Sequence, residues 1–153
     1  MAPATTHHRR RLVVGFDGSE AAVAALEWAA DLAGSTGADV EVVTTWSWPS
    51  GYGASLVVPT DYDPEGDAEA MVARAVREAR GRHPDVRFVP VVTEGRTAPA
   101  LVEASNGADL LALGTRGHGA VAGMLLGSVS EHCVAHARCP VLVIGEHPPA
   151  RAA

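Results

Sequence analysis

The chain has 153 residues, of which 47% are hydrophobic and 20% charged, and this length and composition are typical of one compact globular domain. No stretch approaches the ~18 consecutive apolar residues of a membrane-spanning helix, so we expect no membrane partner. The net charge of −6 argues against a nucleic-acid partner, and the complete absence of lysine excludes a Walker A loop and Schiff-base chemistry.

The chain begins with a short segment that contains the basic run His7–Arg11. This run does not read as a twin-arginine or secretory signal, because the apolar stretch after it, Leu12–Phe16, is too short for a cleavable signal. We therefore expect residues 1–10 to form a flexible, solvated tail, residues 11–146 to form a single domain, and residues 147–153 to form a C-terminal tail.

The first part of the domain predicts two strands with a helix between them. Strand one is Leu12–Phe16, and Ser19 is the expected N-cap of the first helix. This helix ends near Gly34 or Gly37, and strand two covers Val40–Thr45. The apolar residues that recur at helical spacing in the helix are Val23, Leu26, Ala30 and Ala33.

A segment dense in Gly, Pro, Tyr and Trp, Trp46–Pro64, separates strand two from the next helix. We expect an irregular loop here, and a loop of this length is usually functional or mobile. The second helix begins near Glu65 and places its apolar residues on one face, namely Ala68, Val72, Ala75 and Ala79. The opposite face is predicted to be solvated and carries Arg74, Arg77 and Arg80.

The second half of the chain continues the alternation of strands and helices. It predicts a strand at Val86–Val92, a short helix at Ala98–Ser105, a buried strand at Asp109–Leu113, a helix from about Ser128, and a last strand at Pro140–Ile144. This alternation is typical of a doubly wound α/β fold, a parallel sheet with helices on both faces. In such folds, ligands bind at the carboxyl ends of the strands, where the strand order reverses.

Two segments at strand carboxyl ends carry suitable chemistry for a ligand site. One is Asp17–Ser19 after strand one, and the other is the glycine-rich segment Gly114–Ser130 after strand four. Glycines allow backbone N–H groups to approach an anion, and the helix that follows adds donors and a favourable dipole. The density of glycine favours phosphate binding, while a crossover whose glycines only make turns remains the alternative. The glycines of this segment are Gly114, Gly117, Gly119, Gly123 and Gly127.

The spacing of three of these glycines is more specific. Gly114, Gly117 and Gly127, the last followed by Ser128, reproduce a G-x2-G-x9-G-S/T pattern. This pattern resembles that of the nucleotide-binding branch of the universal stress protein family. Nearly the whole chain shares the resemblance, because the segments Leu12–Ser19, Ala108–Leu111 and Cys139–Ile144 are similar to the family's first, fourth and last strands.

The resemblance implies a fold and a ligand. The expected fold is a five-stranded parallel doubly wound sheet of strand order 3-2-1-4-5, of the adenine-nucleotide α-hydrolase-like type. The expected cofactor is ATP with Mg²⁺, and the implied role is that of a dimeric stress-response sensor with little or slow hydrolysis. The dimer would form through the edge of the last strand, by Val141, Leu142, Val143 and Ile144.

The resemblance also implies which residues contact the nucleotide. Asp17 would lie near the ribose, the phosphates and the Mg²⁺ ion, and backbone groups of Thr45 would meet the adenine. Many relatives carry His-Val or His-Ala where this chain has Thr44-Thr45, a change that a backbone contact survives. The full set of implied nucleotide-binding residues is Gly15, Asp17, Thr45, Leu113, Gly114, Arg116, Gly117, Gly127, Ser128, Val129 and Ser130.

Other readings of the sequence are less well supported. Gly117–Ala122 fits a dinucleotide fingerprint, but the acidic residue expected ~20 positions later is absent. His132 and His136 share one helix face, yet Cys133 points about 100° away and no HExxH glutamate lies between them, so a zinc site is not predicted. We expect Cys133 to pack inward and His118 to be exposed.

Two alternatives to an ATP-binding sensor stay open. One is a nucleotide-free dimeric module that works through an unknown protein partner. The other is a weak ATPase or an autophosphorylating protein that uses Ser128 or Ser130, although no general base is visible in the sequence. Cys133 and Cys139 form neither a CxxC pair nor a disulfide framework, so we expect a reducing cytoplasm.

Overall fold

The computed structural model describes residues 9–50, 57–115 and 126–145. Five strands alternate with four helices along these ranges. In chain order they are β1 (Arg11–Gly15), α1 (Glu20–Thr36), β2 (Asp39–Trp46), α2 (Pro64–Arg82), β3 (Arg87–Glu94), α3 (Thr97–Ala104), β4 (Leu110–Gly114), α4 (Ser128–His136) and β5 (Val141–Ile144).

The five strands form one parallel sheet of order β3-β2-β1-β4-β5. The chain moves outward from β1 to β3 on one side and then crosses back to β4 and β5 on the other. The predicted doubly wound α/β fold and its strand order are therefore confirmed. The strand order reverses between β1 and β4, so these two strands diverge at their carboxyl ends into connections on opposite faces of the sheet.

Two apolar cores lie on the two faces of the sheet. On one face α1 and α2 cover side chains that include Val14, Val40 and Phe88. On the other face Leu101 of α3 and Cys133 of α4 pack against side chains of the central strands. A strand that is buried on both faces needs apolar side chains at successive positions. This explains the consecutive apolar residues of β1 and β4.

Helix α1 begins and ends where its sequence predicts. The Ser19 hydroxyl accepts a hydrogen bond from the backbone N–H of Ala22 at 3.2 Å and so caps the first turn. Gly37 ends the helix with a φ of +72°, a conformation that glycine adopts without strain. The buried face is almost entirely alanine, which brings the helix close to the sheet.

Two positions on the helix faces differ from the prediction. Val23 was expected on the buried face of α1, but it is 41% exposed, and the buried stripe instead runs through Ala22, Ala25 and Ala29. In α2 the buried valine beside Val72 is Val76, while the predicted Ala75 is only partly buried. The buried face of a helix is wider than a single i, i+3, i+4 series of residues. A residue next to the predicted series can therefore be buried in place of a member of the series.

The predicted loop between β2 and α2 has the expected ends. Strand β2 stops at Trp46 and helix α2 starts at Pro64, whose N-cap Asp63 accepts a hydrogen bond from Gly66 N–H at 2.9 Å. Residues 51–56 of this loop lie outside the described ranges.

The basic run at the start of the chain is not uniformly solvated. Arg11 belongs to β1, and its guanidinium donates to the carboxylate of Glu41 at 3.1 Å and to the carbonyls of Ala104 and Asn106 at 2.9 and 2.8 Å. A cation at the end of α3 is favourable, because the last carbonyls of a helix carry partial negative charge. Arg11 therefore joins the first strand to the C-terminal end of α3. Within the three described ranges, no helix combines the length and the apolar character needed to cross a membrane.

Candidate functional site

A cleft of about 380 Å³ opens at the carboxyl ends of β1, β2 and β4. It lies where the strand order reverses, which is the usual ligand position in open α/β sheets, and its volume is within the range of small-molecule sites. The residues that line it are Gly15, Phe16, Asp17, Ser19, Ala22, Thr44, Thr45, Met71, Thr97, Leu101, Leu113, Gly114, Gly127, Ser128, Val129 and Ser130.

The cleft contains every predicted nucleotide-binding residue that the structure describes. The first part of the chain contributes Gly15, Asp17 and Thr45, and the second part contributes Leu113, Gly114 and Gly127–Ser130. The remaining two predicted residues, Arg116 and Gly117, lie outside the described residues, as does His118. Residues that are distant in sequence thus meet because parallel strands present their carboxyl ends at one edge of the sheet.

Asp17 follows the last residues of β1 and sits in a tight turn. Its Oδ1 accepts a hydrogen bond from the backbone N–H of Ser19 at 3.0 Å, and Gly18 between them has a φ of +82°. This Asx-type turn fixes the carboxylate beside the first turn of α1. Asp17 is the only residue with an ionisable side chain among the described residues that line the cleft.

Close packing surrounds two glycines of the cleft, against backbone at Gly114 and against leucine side chains at Gly15. A Cβ on Gly114 would lie 2.6 Å from the Cβ of Ala21 and 3.0 Å from its backbone carbon, so β4 and the first turn of α1 approach within backbone contact. A Cβ on Gly15 would lie 2.6 Å from Leu113 Cδ2 and 2.8 Å from Leu101 Cδ1. These positions therefore bring helix α1 and the apolar floor of the cleft close to the strand ends.

The two ends of the glycine-rich segment are held together. The N–H of Gly127 donates to the carbonyl of Thr115 at 2.7 Å, and the N–H of Thr115 donates to the carbonyl of Ile144 at 2.7 Å. The hydroxyl of Ser130 donates to the carbonyl of Gly114 at 2.6 Å. The first turn of α4 is thereby fixed directly against the carboxyl end of β4.

Helix α4 directs its N-terminus toward the cleft. Its N-cap is Gly127, which has no side chain, and among the described residues no side-chain hydrogen bond caps its first turn, whereas Ser19 and Asp63 cap α1 and α2. Ser128 is exposed at this end and Ser130 is buried. An open helix N-terminus carries N–H donors and a partial positive charge, which together suit an anionic group.

The opposite end of the cleft is formed by the end of β2. The carbonyl of Val43 accepts a hydrogen bond from Phe16 N–H at 2.9 Å and therefore faces β1. Backbone groups two residues apart in a strand face the same neighbour, so the N–H and C=O of Thr45 point to the same side, beyond the end of β1. The side chain of Thr45 pairs with that of Thr97 of α3, with 2.7 Å between the two Oγ1 atoms.

Sequence reasoning missed several residues of the cleft. They are the apolar residues Phe16, Ala22, Met71 and Leu101 and the hydroxyl residues Thr44 and Thr97. Phe16 and Thr44 adjoin predicted residues along the chain, and Ser19 belongs to the predicted segment Asp17–Ser19. Met71 and Thr97 have no such signal, because they reach the cleft only through the packing of α2 and α3 on the sheet.

The cysteines behave as inward-packed residues. Cys133 is fully buried, as predicted, and burial raises the pKa of its thiol to about 11. Burial also raises the pKa of the Cys139 thiol. Among the residues that the structure describes, no cluster of three or more His, Cys, Asp or Glu side chains is arranged to hold a metal ion.

Comparison with known proteins extends this picture. The sequence profile of the Universal stress protein family matches residues 8–145. The universal stress protein Rv1996 of Mycobacterium tuberculosis is 36% identical over 135 residues, which cover 86% of this chain and 43% of that protein. Rv2623 of the same species is 34% identical over 141 residues, covering 88% and 45% respectively. The chain thus spans somewhat less than half the length of these curated relatives.

Solved structures share the fold. A universal stress protein in complex with cAMP is 26% identical, superposes with a TM-score of 0.68, and is matched over 91% of this chain and 98% of its own. The universal stress protein from Archaeoglobus fulgidus in complex with dAMP is 23% identical, with a TM-score of 0.64 and coverage of 90% and 98%, a likeness that concerns the fold.

Proposed function

The chain belongs to the universal stress protein family, and from its cleft we propose that it binds an adenine nucleotide, ATP together with Mg²⁺, as a dimeric stress-response regulator. The observation that carries this proposal is the convergence of Asp17, Gly114 and the open N-terminus of α4 on one cleft at the reversal point of the sheet. The neighbour solved in complex with cAMP supports an adenine nucleotide as the ligand class.

The phosphates would bind at the α4 end of the cleft. The first turn of α4 offers backbone N–H groups from Ser128 onward, and the exposed Ser128 hydroxyl adds a donor. Ser130 is expected to contribute its backbone rather than its hydroxyl proton, because that proton is donated to the carbonyl of Gly114. Arg116 and Gly117 remain proposed members of this phosphate loop.

The adenine would bind at the β2 end. The N–H and C=O of Thr45 supply one donor and one acceptor on the same side of the strand, which match the ring N1 and the 6-amino group of adenine. Guanine presents the opposite pattern at these two positions. Leu101, Leu113 and Met71 provide apolar surface for the base. We therefore expect ATP to bind more tightly than GTP.

The metal would arrive with the nucleotide. Mg²⁺ is usually held by one or two carboxylates together with phosphate oxygens and water. Asp17 supplies one carboxylate at this cleft, and phosphate oxygens of ATP together with water would supply the other ligands. The donor set therefore fits Mg²⁺ bound as part of the ATP complex.

Turnover is expected to be slow. The described lining offers hydroxyls and one carboxylate, and neither a histidine nor a second carboxylate is present there to activate water. We propose that the protein binds ATP and responds through the segment Trp46–Pro64, which leads away from Thr45. We further propose that residues 11–146 form the domain and that it dimerises through β5. The proposal also includes a cytoplasmic location and a protein partner that is not identified.

The decisive experiment is a calorimetric titration of nucleotide-free protein with ATP and Mg²⁺, in parallel with GTP. We expect a dissociation constant in the micromolar range, equivalent to about −8 kcal/mol, and weaker binding of GTP. The matched variants are Ser128→Glu and Ser128→Gln, which have nearly the same size. A carboxylate in the first turn of α4 stabilises the helix but repels phosphate, so Ser128→Glu should lose ATP while it stays folded.

The outcomes separate the competing functions. The absence of heat up to millimolar ATP, together with an unchanged melting temperature, would favour a nucleotide-free interaction module. Equal ATP affinity of Ser128→Glu and Ser128→Gln would contradict the phosphate site at α4. Phosphate release or a phosphorylated serine during incubation with ATP would instead identify a weak ATPase or an autophosphorylating protein.

A further inference from the structure

Two histidines form a pair on the exposed side of α4, at the end of the helix away from the cleft. His132 and His136 are both exposed, and their imidazole rings stack with 4.3 Å between centroids and 24° between planes. Residues four apart on a helix project from the same face, which is the spacing by which helices present two imidazoles to one metal ion.

The hydrogen bonding of His136 prepares it as a ligand. Its Nδ1 lies 3.0 Å from the backbone carbonyl oxygen of His132. A carbonyl only accepts, so Nδ1 must carry the proton, and Nε2 of the neutral ring then bears the lone pair. A backbone carbonyl that receives one ring N–H is the usual partner that orients a metal-bound histidine.

The ring separation is close to what a shared ion requires. A metal to nitrogen distance of about 2.1 Å, with the ring centre about 1.1 Å farther, and an N–metal–N angle of roughly 90–110° give centroids roughly 4.5–5.2 Å apart. The observed centroids are 4.3 Å apart, but the rings are stacked with only 24° between their planes, so one imidazole must also rotate before a nitrogen of each ring faces the same ion. Both side chains are exposed, which leaves room for this rotation.

The surroundings carry one favourable carboxylate. The histidines line a groove between α3 and α4 together with Glu103, Asn106 and Arg138. Glu103 and the negative end of the α4 dipole favour a cation, while Arg138 opposes it. The buried Cys133 takes no part, since its side chain lies in the core on the other side of the helix.

We infer that His132 and His136 form a two-imidazole chelate for a divalent late first-row transition metal ion, Cu²⁺, Ni²⁺ or Zn²⁺, whose remaining coordination positions are filled by water. Imidazole nitrogen suits these ions, and Cu²⁺ binds most tightly in this series. This site requires no nucleotide and does not share residues with the cleft.

The test is a titration of the purified protein with CuCl₂ and ZnSO₄ alone, in a His7→Gln/His8→Gln background. That background removes a second pair of neighbouring histidines in the sequence. We expect one equivalent of Cu²⁺ to bind, with Zn²⁺ weaker, and the electron paramagnetic resonance spectrum of the copper form to show coupling to two nitrogens. His132→Gln and His136→Gln should each weaken Cu²⁺ binding by about tenfold or more, because each removes the chelate.

Two controls make the result decisive. The double variant His132→Gln/His136→Gln should bind Cu²⁺ only slightly more weakly than either single variant, because removing one histidine already destroys the chelate. His83→Gln, a histidine of the α1 and α2 interface, should bind Cu²⁺ like the parent. The inference would be overturned if both single variants bound Cu²⁺ as tightly as the parent, or if the spectrum showed coupling to one nitrogen only. It would also be overturned if the parent bound no metal at millimolar concentration.

Discussion

The hydroxyl of Ser130 donates a hydrogen bond to the backbone carbonyl of Gly114, with 2.6 Å between the two oxygens. Gly114 is the last residue of β4 and Ser130 lies in the first turn of α4, so this bond spans the two ends of the glycine-rich segment. A serine that the sequence suggests as a phosphate ligand thus has a structural role as well. It holds the open N-terminus of α4 at the edge of the sheet.

Replacing Ser130 by Ala should therefore destabilise the fold. The side chain is 4% exposed, so the carbonyl of Gly114 loses a buried partner and the free energy of unfolding should fall by about 1–2 kcal/mol. Urea unfolding followed by circular dichroism measures this change. Ser128→Ala, at an exposed position of the same turn, serves as the control and should stay within about 0.5 kcal/mol of the parent. Equal stability of the two variants would contradict the role of this bond.

Gly114→Ala and Gly81→Ala form a second matched pair with opposite expected signs. The added Cβ at position 114 meets the backbone of Ala21 at 3.0 Å, so α1 must shift and stability should fall by about 1–3 kcal/mol. At position 81, inside α2, the added Cβ meets no atom within 4 Å, and stability should rise by about 0.5–1 kcal/mol. Thermal unfolding of both variants provides the measurement, and a stabilised Gly114→Ala would refute the close approach of α1 to β4.

Asp17→Asn separates the metal role of Asp17 from its turn. Asparagine can still accept the hydrogen bond from Ser19 N–H, so the turn and the stability should be retained within about 0.5 kcal/mol. ATP affinity in the presence of Mg²⁺ should fall, while affinity in EDTA should stay the same or rise because a negative charge near the phosphates is removed. Calorimetry in the two buffers gives the comparison. If Mg²⁺ changes the ATP affinity of the variant as much as that of the parent, Asp17 does not bind the metal.

A charge cluster between α1 and α2 predicts a dependence of stability on pH. Burial of the Glu27 carboxyl raises its pKa, but hydrogen bonds from Arg82 and His83 outweigh burial, so the pKa lies below its ordinary value of 4.5. A lowered pKa means that the stabilisation is present above about pH 4.5 and is lost as the pH falls through the folded-state pKa. The pair is partly solvated, which limits the contribution to about 1 kcal/mol.

Glu27→Gln tests this dependence. The variant should melt below the parent at pH 7, where the carboxylate accepts from Arg82 and from His83 Nε2 at 3.0 Å. The difference between the two melting temperatures should shrink as the pH is lowered from 5 toward 3. A constant difference across this range would show that the hydrogen bonds of Glu27 are not what the substitution removes.

The edge strand β5 provides the prediction for assembly. It lies at the end of the sheet, and Val143 within it is only partly buried in the single chain. Pairing of two β5 edges across a two-fold axis would cover both edges, and a lysine in the strand would prevent it. Val143→Lys should therefore sediment as a monomer if the parent is a dimer, whereas Val134→Lys, on the 52% exposed position of α4, should sediment like the parent. A dimeric Val143→Lys would exclude this interface.

The sequence by itself determined the order and type of every element and the edge of the sheet where the cleft lies. Valine-rich runs indicate the strands, apolar residues at helical spacing indicate the helices, and Ser19 and Gly37 mark the ends of α1. These features are local, so they can be identified without knowledge of the tertiary structure. The strands are parallel because a helix carries the chain back between successive strands, and this brings the ends of β1, β2 and β4 to one edge of the sheet. For this reason the sequence predicts Asp17 and Gly114 at one site, whereas Thr45 is assigned to that site by the resemblance to the universal stress protein family.

Only the tertiary structure decided which atoms meet. Three features depend on how the helices pack against the sheet. Met71 and Thr97 line the cleft, Val76 is buried where Ala75 was predicted, and Arg11 contacts the end of α3. Periodicity tells which side chains share a face, but a face several residues wide leaves its exact rotation open. The rotation is fixed by close packing between distant segments, such as the contact of Gly114 with the first turn of α1.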